Sequence, residues 1–326
     1  MVCIEYMTAF PVENLENNFR KKILYIVLLV LLILGVYLFT NRNEVAVLVW
    51  NNTHNVLATS LLNSDSSELG MEMGRYYFNG PGGYHLTRAS RGFREAISVD
   101  TEDASAHYAL SRVLFVIGDF DNAREEILLS LKYDPKNLRA YYVKGLIESY
   151  DGNLEESESD FSRFIEWAPK EWAGYNDLAW VELRQGKFEE ALETTQNGLL
   201  ETDDSNMWLL SNKGLALLNL DRFKEAQITY ENVIEASRHS TEKEWKDAYP
   251  GNSSSERLEL REVFEAVLLF NYGNVYRGLD DTDTALENYR EAYNLLPNTS
   301  EIGYMIQDEI DELISVDKEE GGEIYP

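Results

Sequence analysis

Three six-residue stretches at a constant spacing decide the fold: G-D-F-D-N-A at residues 118–123, G-N-L-E-E-S at 152–157 and G-K-F-E-E-A at 186–191. Their first residues, Gly118, Gly152 and Gly186, stand 34 residues apart, and a fourth copy, D-R-F-K-E-A, begins one residue late at Asp221. Self-similarity at a period of this size is typical of repeat proteins. A unit of this length, with a glycine near its middle and a proline near its end, accommodates two short helices and two turns. We therefore expect an all-α solenoid.

The residues around these glycines resemble the tetratricopeptide repeat family. Its units have a bulky residue, Leu, Gly or Ala, and Tyr on a first helix, then Ala, Phe, Ala and Pro. In residues 138–171 these positions fall on Tyr141, Lys144, Gly145, Glu148, Ser157, Phe161, Phe164 and Pro169, and in residues 266–299 they include Gly273, Tyr276, Ala285, Tyr289, Ala292 and Pro297. The resemblance covers residues 67–299 and implies about six helical-hairpin repeats. The first unit, residues 67–103, is degenerate and has the long turn F-N-G-P-G-G.

The repeat array is interrupted once, at residues 238–262, which have no counterpart in a regular unit. A helical pattern continues from Tyr230 to Ala248, Pro250-Gly251-Asn252 ends it, and a second helix begins near Glu256. We expect a projecting helical hairpin, which is either a tolerated surface insertion or a partner-binding arm. Beyond the repeats, residues 300–316 predict a capping helix, and residues 317–326 are expected to be disordered.

An apolar run precedes the repeats. Residues 23–39 contain no charge, and at about 1.5 Å per residue they span roughly 26 Å, which is near the lower limit for crossing a bilayer. A secretory signal peptide is the main rival, because Arg20, Lys21 and Lys22 precede the run. Residues 38–42 offer no small-x-small cleavage site, which favours an uncleaved transmembrane helix at residues 23–40.

Basic residues on either side of the run indicate its orientation. Three lie immediately before it, whereas Arg42 is the only one in the following 20 residues. The positive-inside rule therefore places residues 1–22 in the cytoplasm and the repeats in the periplasm or outside the cell, as a single-pass protein. The inverted topology, with the repeats in the cytosol, remains an alternative. Residues 41–66 predict a linker with a helix that packs on the first repeat.

The composition of the chain excludes several classes of function. The net charge of −28, from 57 acidic and 29 basic residues, argues against nucleic acid as a partner. The single cysteine, Cys3, precludes a disulfide within the repeats, and the four histidines are scattered without metal-ligand spacing. No phosphate loop, G-x-S-x-G or nucleophile with a base is recognisable. We therefore expect no enzyme, metal site or cofactor; the oligomeric state is left open.

In the family that the chain resembles, the first helix of each unit lines a concave groove. Of the thirty predicted groove positions, five are arginine and one is acidic, which reverses the charge bias of the chain. The candidate binding residues are Arg75, Tyr108, Arg112, Phe115, Arg139, Tyr142, Trp180, Arg184, Trp208, Phe270, Asn274 and Arg277. Arginine and flat aromatic side chains suit an extended peptide or an amphipathic helix, although the aromatics could instead fill a tight superhelix.

The leading hypothesis is thus a membrane-anchored scaffold for protein–protein interaction, which binds a peptide or helix in the groove. A glycan- or cell-wall-binding envelope protein is the alternative, because exposed aromatic faces also stack on sugars; an enzyme regulatory subunit is a third. The family's clamp for chaperone carboxyl termini uses Lys and Asn at positions that are not reproduced here, so docking by that route is disfavoured.

Overall fold

The computed structural model describes residues 12–62, 65–248, 254–296 and 300–319, and within these ranges every regular element is an α-helix. Three helices precede the repeats: α1 (Val12–Thr40), α2 (Arg42–Thr53) and α3 (Val56–Leu62). The first four repeat units are α4 (Ser67–Phe78) with α5 (Leu86–Val99), α6 (Ala104–Ile117) with α7 (Phe120–Tyr133), α8 (Leu138–Asp151) with α9 (Leu154–Trp167), and α10 (Trp172–Arg184) with α11 (Phe188–Glu201). There follow α12 (Met207–Asn219), α13 (Phe223–His239), α14 (Glu242–Ala248), α15 (Ser254–Gly278), α16 (Thr282–Asn294) and α17 (Glu301–Glu319).

The helices pair as the period predicts. Each of the six units forms two helices that pack on one another, with α12–α13 and α15–α16 as the last two, and consecutive units pack side by side. Helix α17 packs on α16 and closes the last cluster of buried residues through Ile306, Ile310 and Leu313. It extends to Glu319, so three residues of the predicted disordered tail are helical; the others lie outside the described residues.

The turn between the two helices of a unit explains the repeated glycine. Gly118, Gly152 and Gly186 follow their first helices with φ between 74° and 92°, a left-handed conformation that suits glycine because it has no Cβ. Asp221 and Asp280 adopt the same conformation in the last two units, with φ of 56° and 62°. Aspartate is among the few other residues that tolerate it. Units that lack the glycine therefore still form the same backbone turn.

Glycine inside the first helix has a different role. A Cβ added to Gly145 would lie 2.8 Å from Cε1 of Phe161, and one added to Gly273 would lie 2.4 Å from Cε1 of Tyr289. Gly74 and Gly214 meet the rings of Phe93 and Tyr230 in the same way. The rings are fully buried or nearly so. In four of the six units, therefore, a buried ring of the second helix sits against a glycine of the first.

The insertion does not project from the solenoid. Helix α13 ends at His239 instead of continuing to Ala248, and the short helix α14 folds back so that Trp245 is 2% exposed against Trp208. The break coincides with a capping box, in which the Glu244 carboxylate accepts the Thr241 backbone N–H and the Thr241 hydroxyl accepts that of Glu244. The second helix of the insertion continues into the last repeat as the single helix α15.

The segment before the repeats differs in part from the expectation. Residues Arg20–Thr40 of α1 are long and apolar enough to cross a membrane, by length and composition, and none is buried within the chain; a signal sequence passes the same test. The predicted packing helix is two helices, α2 and α3, separated at His54, which has a φ of 48°. Trp50, 1% exposed, packs against Tyr76 and Tyr77 of the first repeat.

The glycine–ring contact predicts the stability of a pair of variants. Gly145→Val should lower the free energy of unfolding by about 1–3 kcal/mol, because the added methyls overlap the Phe161 ring. Phe161→Ala alone should cost about 3–5 kcal/mol through the cavity it leaves. The double variant should cost at least about 1 kcal/mol less than the sum, because each change makes room for the other. Urea denaturation followed by circular dichroism measures all three, and strict additivity would contradict the contact.

Candidate functional site

Five of the twelve predicted groove residues line one cavity. This cavity has a volume of about 910 Å³ and lies along the first helices of units one to four. Its lining contains Tyr108, Arg112, Phe115, Arg139 and Tyr142 from the predicted set. A second cavity of about 690 Å³ shares Tyr108, Arg112 and Arg139 with it and adds Arg75. The two form a groove that runs from α4 to α10.

Aromatic side chains form much of the groove, and a guanidinium lies over two of them. The Cζ atom of Arg112 lies 4.9 Å from the ring centre of Phe78 and 5.7 Å from that of Tyr108. Cation–π contacts of this kind leave the N–H groups at the edge of the guanidinium available for a ligand. The groove thus places a half-buried cation on an aromatic floor.

The charge of the lining is opposite to that of the chain. The larger cavity is lined by three basic residues, Arg112, Lys136 and Arg139, and by one acidic residue, Glu171. Arg75 in the adjoining cavity is accompanied by Glu72, whose carboxylate accepts a hydrogen bond from the Trp50 indole at 2.8 Å. The groove therefore has a basic excess on a protein whose net charge is −28.

The wall toward units four and five is a ladder of polar side chains. The Tyr142 hydroxyl donates to Oδ2 of Asp177 at 2.6 Å, Asn176 donates to Oδ1 of the same carboxyl at 3.0 Å, and Asn212 donates to Oδ1 of Asn176 at 3.1 Å. Burial raises the pKa of Asp177 to about 6, against the opposing effect of the two hydrogen bonds. Burial and the neighbouring Asp177 charge also raise the pKa of Tyr142.

Trp180 and Arg184 lie beside the cavity, not in its lining. Tyr150 makes an edge contact with Phe115 at 5.4 Å and stacks on Trp180 at 5.7 Å, and the Arg184 guanidinium lies 4.7 Å from the Trp180 ring centre. Arg184 also donates to the Ser149 carbonyl at 2.8 Å. These residues form an aromatic row across units two to four, at the edge of the groove.

The remaining predicted residues are used in packing. Trp208 stacks on Trp172 at 5.2 Å and is covered by Trp245 of the insertion. Phe270 packs against Tyr289, whose hydroxyl donates to Asn274 at 2.6 Å. Arg277 is paired with Glu309 and Glu312 of α17. Trp208, Phe270, Asn274 and Arg277 are therefore not brought together with the cavity residues.

Several cavity residues were missed by the register argument. Lys136, Asn137 and Glu171 come from the turns between units, Tyr84 from the long turn of the first unit, and Ala248 from the insertion. Lys136 and Asn137 belong to the turn D-P-K-N at residues 134–137, and Glu171 belongs to the corresponding turn A-P-K-E at residues 168–171. Extending the repeat register to these turns would have identified all three residues. The contribution of Ala248 depends on how α14 folds back, and the repeat period contains no information about that.

The raised pKa of Asp177 gives a pH-dependent prediction. An ordinary aspartate loses its proton near pH 4, whereas folded Asp177 holds it to about pH 6, so the wild type loses stability as the pH rises through this window. Asp177→Asn keeps an acceptor and has no such loss. Its stability relative to wild type should rise by at most about 3 kcal/mol between pH 4 and pH 7.5, measured by urea denaturation.

Asp177→Ala is the matched control for this experiment. It removes the carboxyl but leaves the Tyr142 hydroxyl and the Asn176 amide without this partner, so it should be less stable than Asp177→Asn at both pH values. A difference between wild type and Asp177→Asn that stays constant with pH would contradict the raised pKa.

Comparison with known proteins agrees with the repeat architecture. Two tetratricopeptide repeat family models match the chain, one at residues 85–137 and 142–206 and the other at residues 209–240 and 266–299, together more than half of its length. The tetratricopeptide repeat-containing protein trd-1 of Caenorhabditis elegans is 24% identical over 161 residues. The match spans 49% of this chain and only 21% of the worm protein.

The chain is also similar to solved structures. The chain resembles pilF of Pseudomonas aeruginosa with a TM-score of 0.55 at 18% identity, covering 74% of this chain and 97% of that one. YrrB, described as a tetratricopeptide repeat protein with an unusual peptide-binding site, has a TM-score of 0.47 at 18% identity, covering 69% and 100%. Sequence identities this low are evidence of a shared fold alone. With its period, its helical hairpins and the two family-model matches, the chain belongs to the tetratricopeptide repeat family.

Proposed function

We propose that this protein is a membrane-anchored scaffold that binds an extended peptide or an amphipathic helix of a protein partner in the groove between α4 and α10. Tetratricopeptide repeats are interaction modules, which supports a scaffold as the general role. The observation that supports this particular groove is its lining: a cavity of about 910 Å³ with aromatic walls and a basic excess, on a strongly acidic protein.

The lining favours a ligand that is both apolar and acidic. Tyr84, Tyr108 and Phe115 offer apolar area, whose burial is the main source of affinity in peptide grooves. The guanidinium groups of Arg112 and Arg139 suit carboxylates, because the planar fork donates two parallel hydrogen bonds. The protein's own acidic surface would repel acidic segments elsewhere and so direct them to this groove.

Helix α1 is the proposed anchor. Its apolar segment and the basic residues Arg20, Lys21 and Lys22 before it support a single-pass arrangement, with the N-terminus in the cytoplasm and the repeats in the periplasm or outside the cell. The inverted topology and a cleaved signal sequence are the two alternatives that the topology experiment below separates.

The glycan alternative is less well supported by the aromatic side chains. Sugar binding needs flat faces open to the ligand, but Trp208 is covered by Trp172 and Trp245, and Trp180 lies between Tyr150 and Arg184. The aromatics of the main cavity are instead interspersed with arginine and lysine, which supports an acidic peptide as the ligand.

Charge reversal in the groove should weaken peptide binding. Full-length protein in nanodiscs would be used to select binders from a displayed random peptide library, and affinities would be measured by fluorescence anisotropy. Arg112→Glu combined with Arg139→Glu should weaken selected acidic peptides by at least about tenfold, because each charge-assisted hydrogen bond is worth about 1.5–3 kcal/mol.

Arg94→Glu combined with Arg290→Glu is the matched control. It changes the net charge equally at two exposed arginines, on α5 and α16, that line neither cavity. It should retain wild-type affinity apart from a small, salt-sensitive loss. Equal affinity of the two double variants would refute the groove as the binding site.

Accessibility of cysteines tests the topology. Cys3 is the only cysteine in the sequence, and the Asp308→Cys variant is made in a Cys3→Ser background so that its one thiol lies on the exposed side of α17. In intact cells a membrane-impermeant maleimide should label the Asp308→Cys variant but label wild type only after permeabilisation. The reverse pattern would establish the inverted topology. Mature protein that lacks its first residues, seen by mass spectrometry, would establish a cleaved signal.

A further inference from the structure

The segment that follows the apolar helix has an unusual composition. Residues 45–64 contain no Asp, Glu, Lys or Arg, in a chain of which 26% is charged; Glu44 and Asp65 are the nearest charges on either side. This stretch includes most of α2 and all of α3. A water-exposed surface of this protein is elsewhere rich in carboxylates, so the absence of charge here requires an explanation.

Packing on the repeats explains one face of these two helices. Ala46 and Trp50 of α2 and Val56 and Thr59 of α3 are buried, and Trp50 donates its indole N–H to Glu72 at 2.8 Å. The Tyr77 hydroxyl donates to the carbonyl of His54, at the turn between the helices, at 2.5 Å. The pair is therefore attached to the first repeat in one orientation.

The other face carries exposed apolar side chains that are not covered by any of the residues that the structure describes. Leu48 is 62% exposed, Leu57 55% and Leu61 77%, with Val47 beside them at 43%. Leu57 and Leu61 are four residues apart and so lie on the same side of α3. The neighbouring exposed residues of α2, Asn51 and Asn52, are polar but uncharged. These helices thus have a buried side and an exposed side that carries apolar and uncharged polar residues.

Continuity with the apolar helix indicates what covers this face. Helix α2 begins two residues after α1 ends, with one turn-forming residue, Asn41, between them. At that junction the Arg42 guanidinium lies 5.8 Å from the ring centre of Phe39, an arrangement suited to the headgroup level of a membrane. If α1 spans the bilayer, α2 leaves it at the interface.

We propose that α2 and α3 lie on the bilayer surface with Leu48, Leu57 and Leu61 inserted at the boundary of headgroups and acyl chains. This inference rests on the proposed membrane anchor and extends it. Interfacial helices insert an apolar face by about 5–10 Å. The opposite face of the same two helices is attached to unit one, so the solenoid is held at a fixed orientation to the membrane.

A bilayer suits this face better than a protein partner does. Stable protein interfaces bury roughly 800 Å² on each partner, which four aliphatic side chains do not provide. Charged residues are also absent from the stretch, whereas polar rims usually surround such interfaces. An uncharged surface on a protein of net charge −28 further avoids repulsion from anionic headgroups.

Labelling of the full chain with an environment-sensitive fluorophore tests the proposal. In a Cys3→Ser background, Leu48→Cys, Leu57→Cys and Leu61→Cys would each carry the label NBD in phosphatidylcholine vesicles. Two controls accompany them: Leu31→Cys, near the centre of the apolar run, and Leu200→Cys, which is 82% exposed on α11. Quenching would be measured with nitroxide lipids labelled near the headgroup or deep in the acyl chain, and with aqueous iodide.

The expected result distinguishes depth as well as contact. Positions 48, 57 and 61 should be quenched more by the shallow than by the deep nitroxide, position 31 the reverse, and position 200 by iodide only. Iodide quenching at 48, 57 and 61, with position 31 still lipid-quenched, would overturn the inference and leave the anchor intact. Protection from both quenchers would also overturn it, in favour of a protein contact. Iodide quenching at position 31 would overturn the anchor itself.

Discussion

In four of the six repeat units, the pairing of the two helices depends on a close contact between a glycine of the first helix and a ring of the second. Gly145 against Phe161 and Gly273 against Tyr289 are two examples, and their rings are completely buried. A side chain at the glycine would separate the helices by the width of a methyl group or more. Consecutive units then pack against one another through shared clusters of buried residues, which produces a continuous stack. The left-handed turn residues, glycine or aspartate, join the two helices of a unit without further strain.

This stack creates a concave face, but only part of that face remains open. Units one to four leave a groove lined by the first helices, with Arg112 and Arg139 among aromatic rings. Beyond it, the insertion fills the concave side, because Trp245 packs on Trp208 and Ala248 reaches the cavity wall. At the far end Arg277 is neutralised by the carboxylates of α17. The available basic and aromatic surface is thus concentrated in the N-terminal half of the repeat array.

The repeat architecture was predictable from the sequence because each unit is determined by local signals repeated at one period. Gly118, Gly152 and Gly186 specify the turns, and the small-residue and ring positions specify the pairing. Register also placed Tyr108, Arg112 and Arg139 in one cavity. It failed at Trp208, because the covering residue, Trp245, comes from outside the period, and at Arg277, whose partners lie on a different helix. The long-range packing of an irregular segment cannot be inferred from a repeat period. The capping-box pattern T-E-K-E at residues 241–244 is the local sequence signal for the early end of α13.

Site-specific photo-crosslinking would show directly whether the partner binds between α4 and α10. Benzoylphenylalanine would be introduced at position 108, in the cavity wall, and separately at position 128, where Leu128 is 48% exposed on α7. Each full-length variant would be irradiated with a peptide selected on the wild-type protein, and the adduct mapped by mass spectrometry. If the peptide binds in the groove, an adduct forms at position 108 and none forms at position 128. An adduct at position 128 without one at position 108 would contradict binding in the groove.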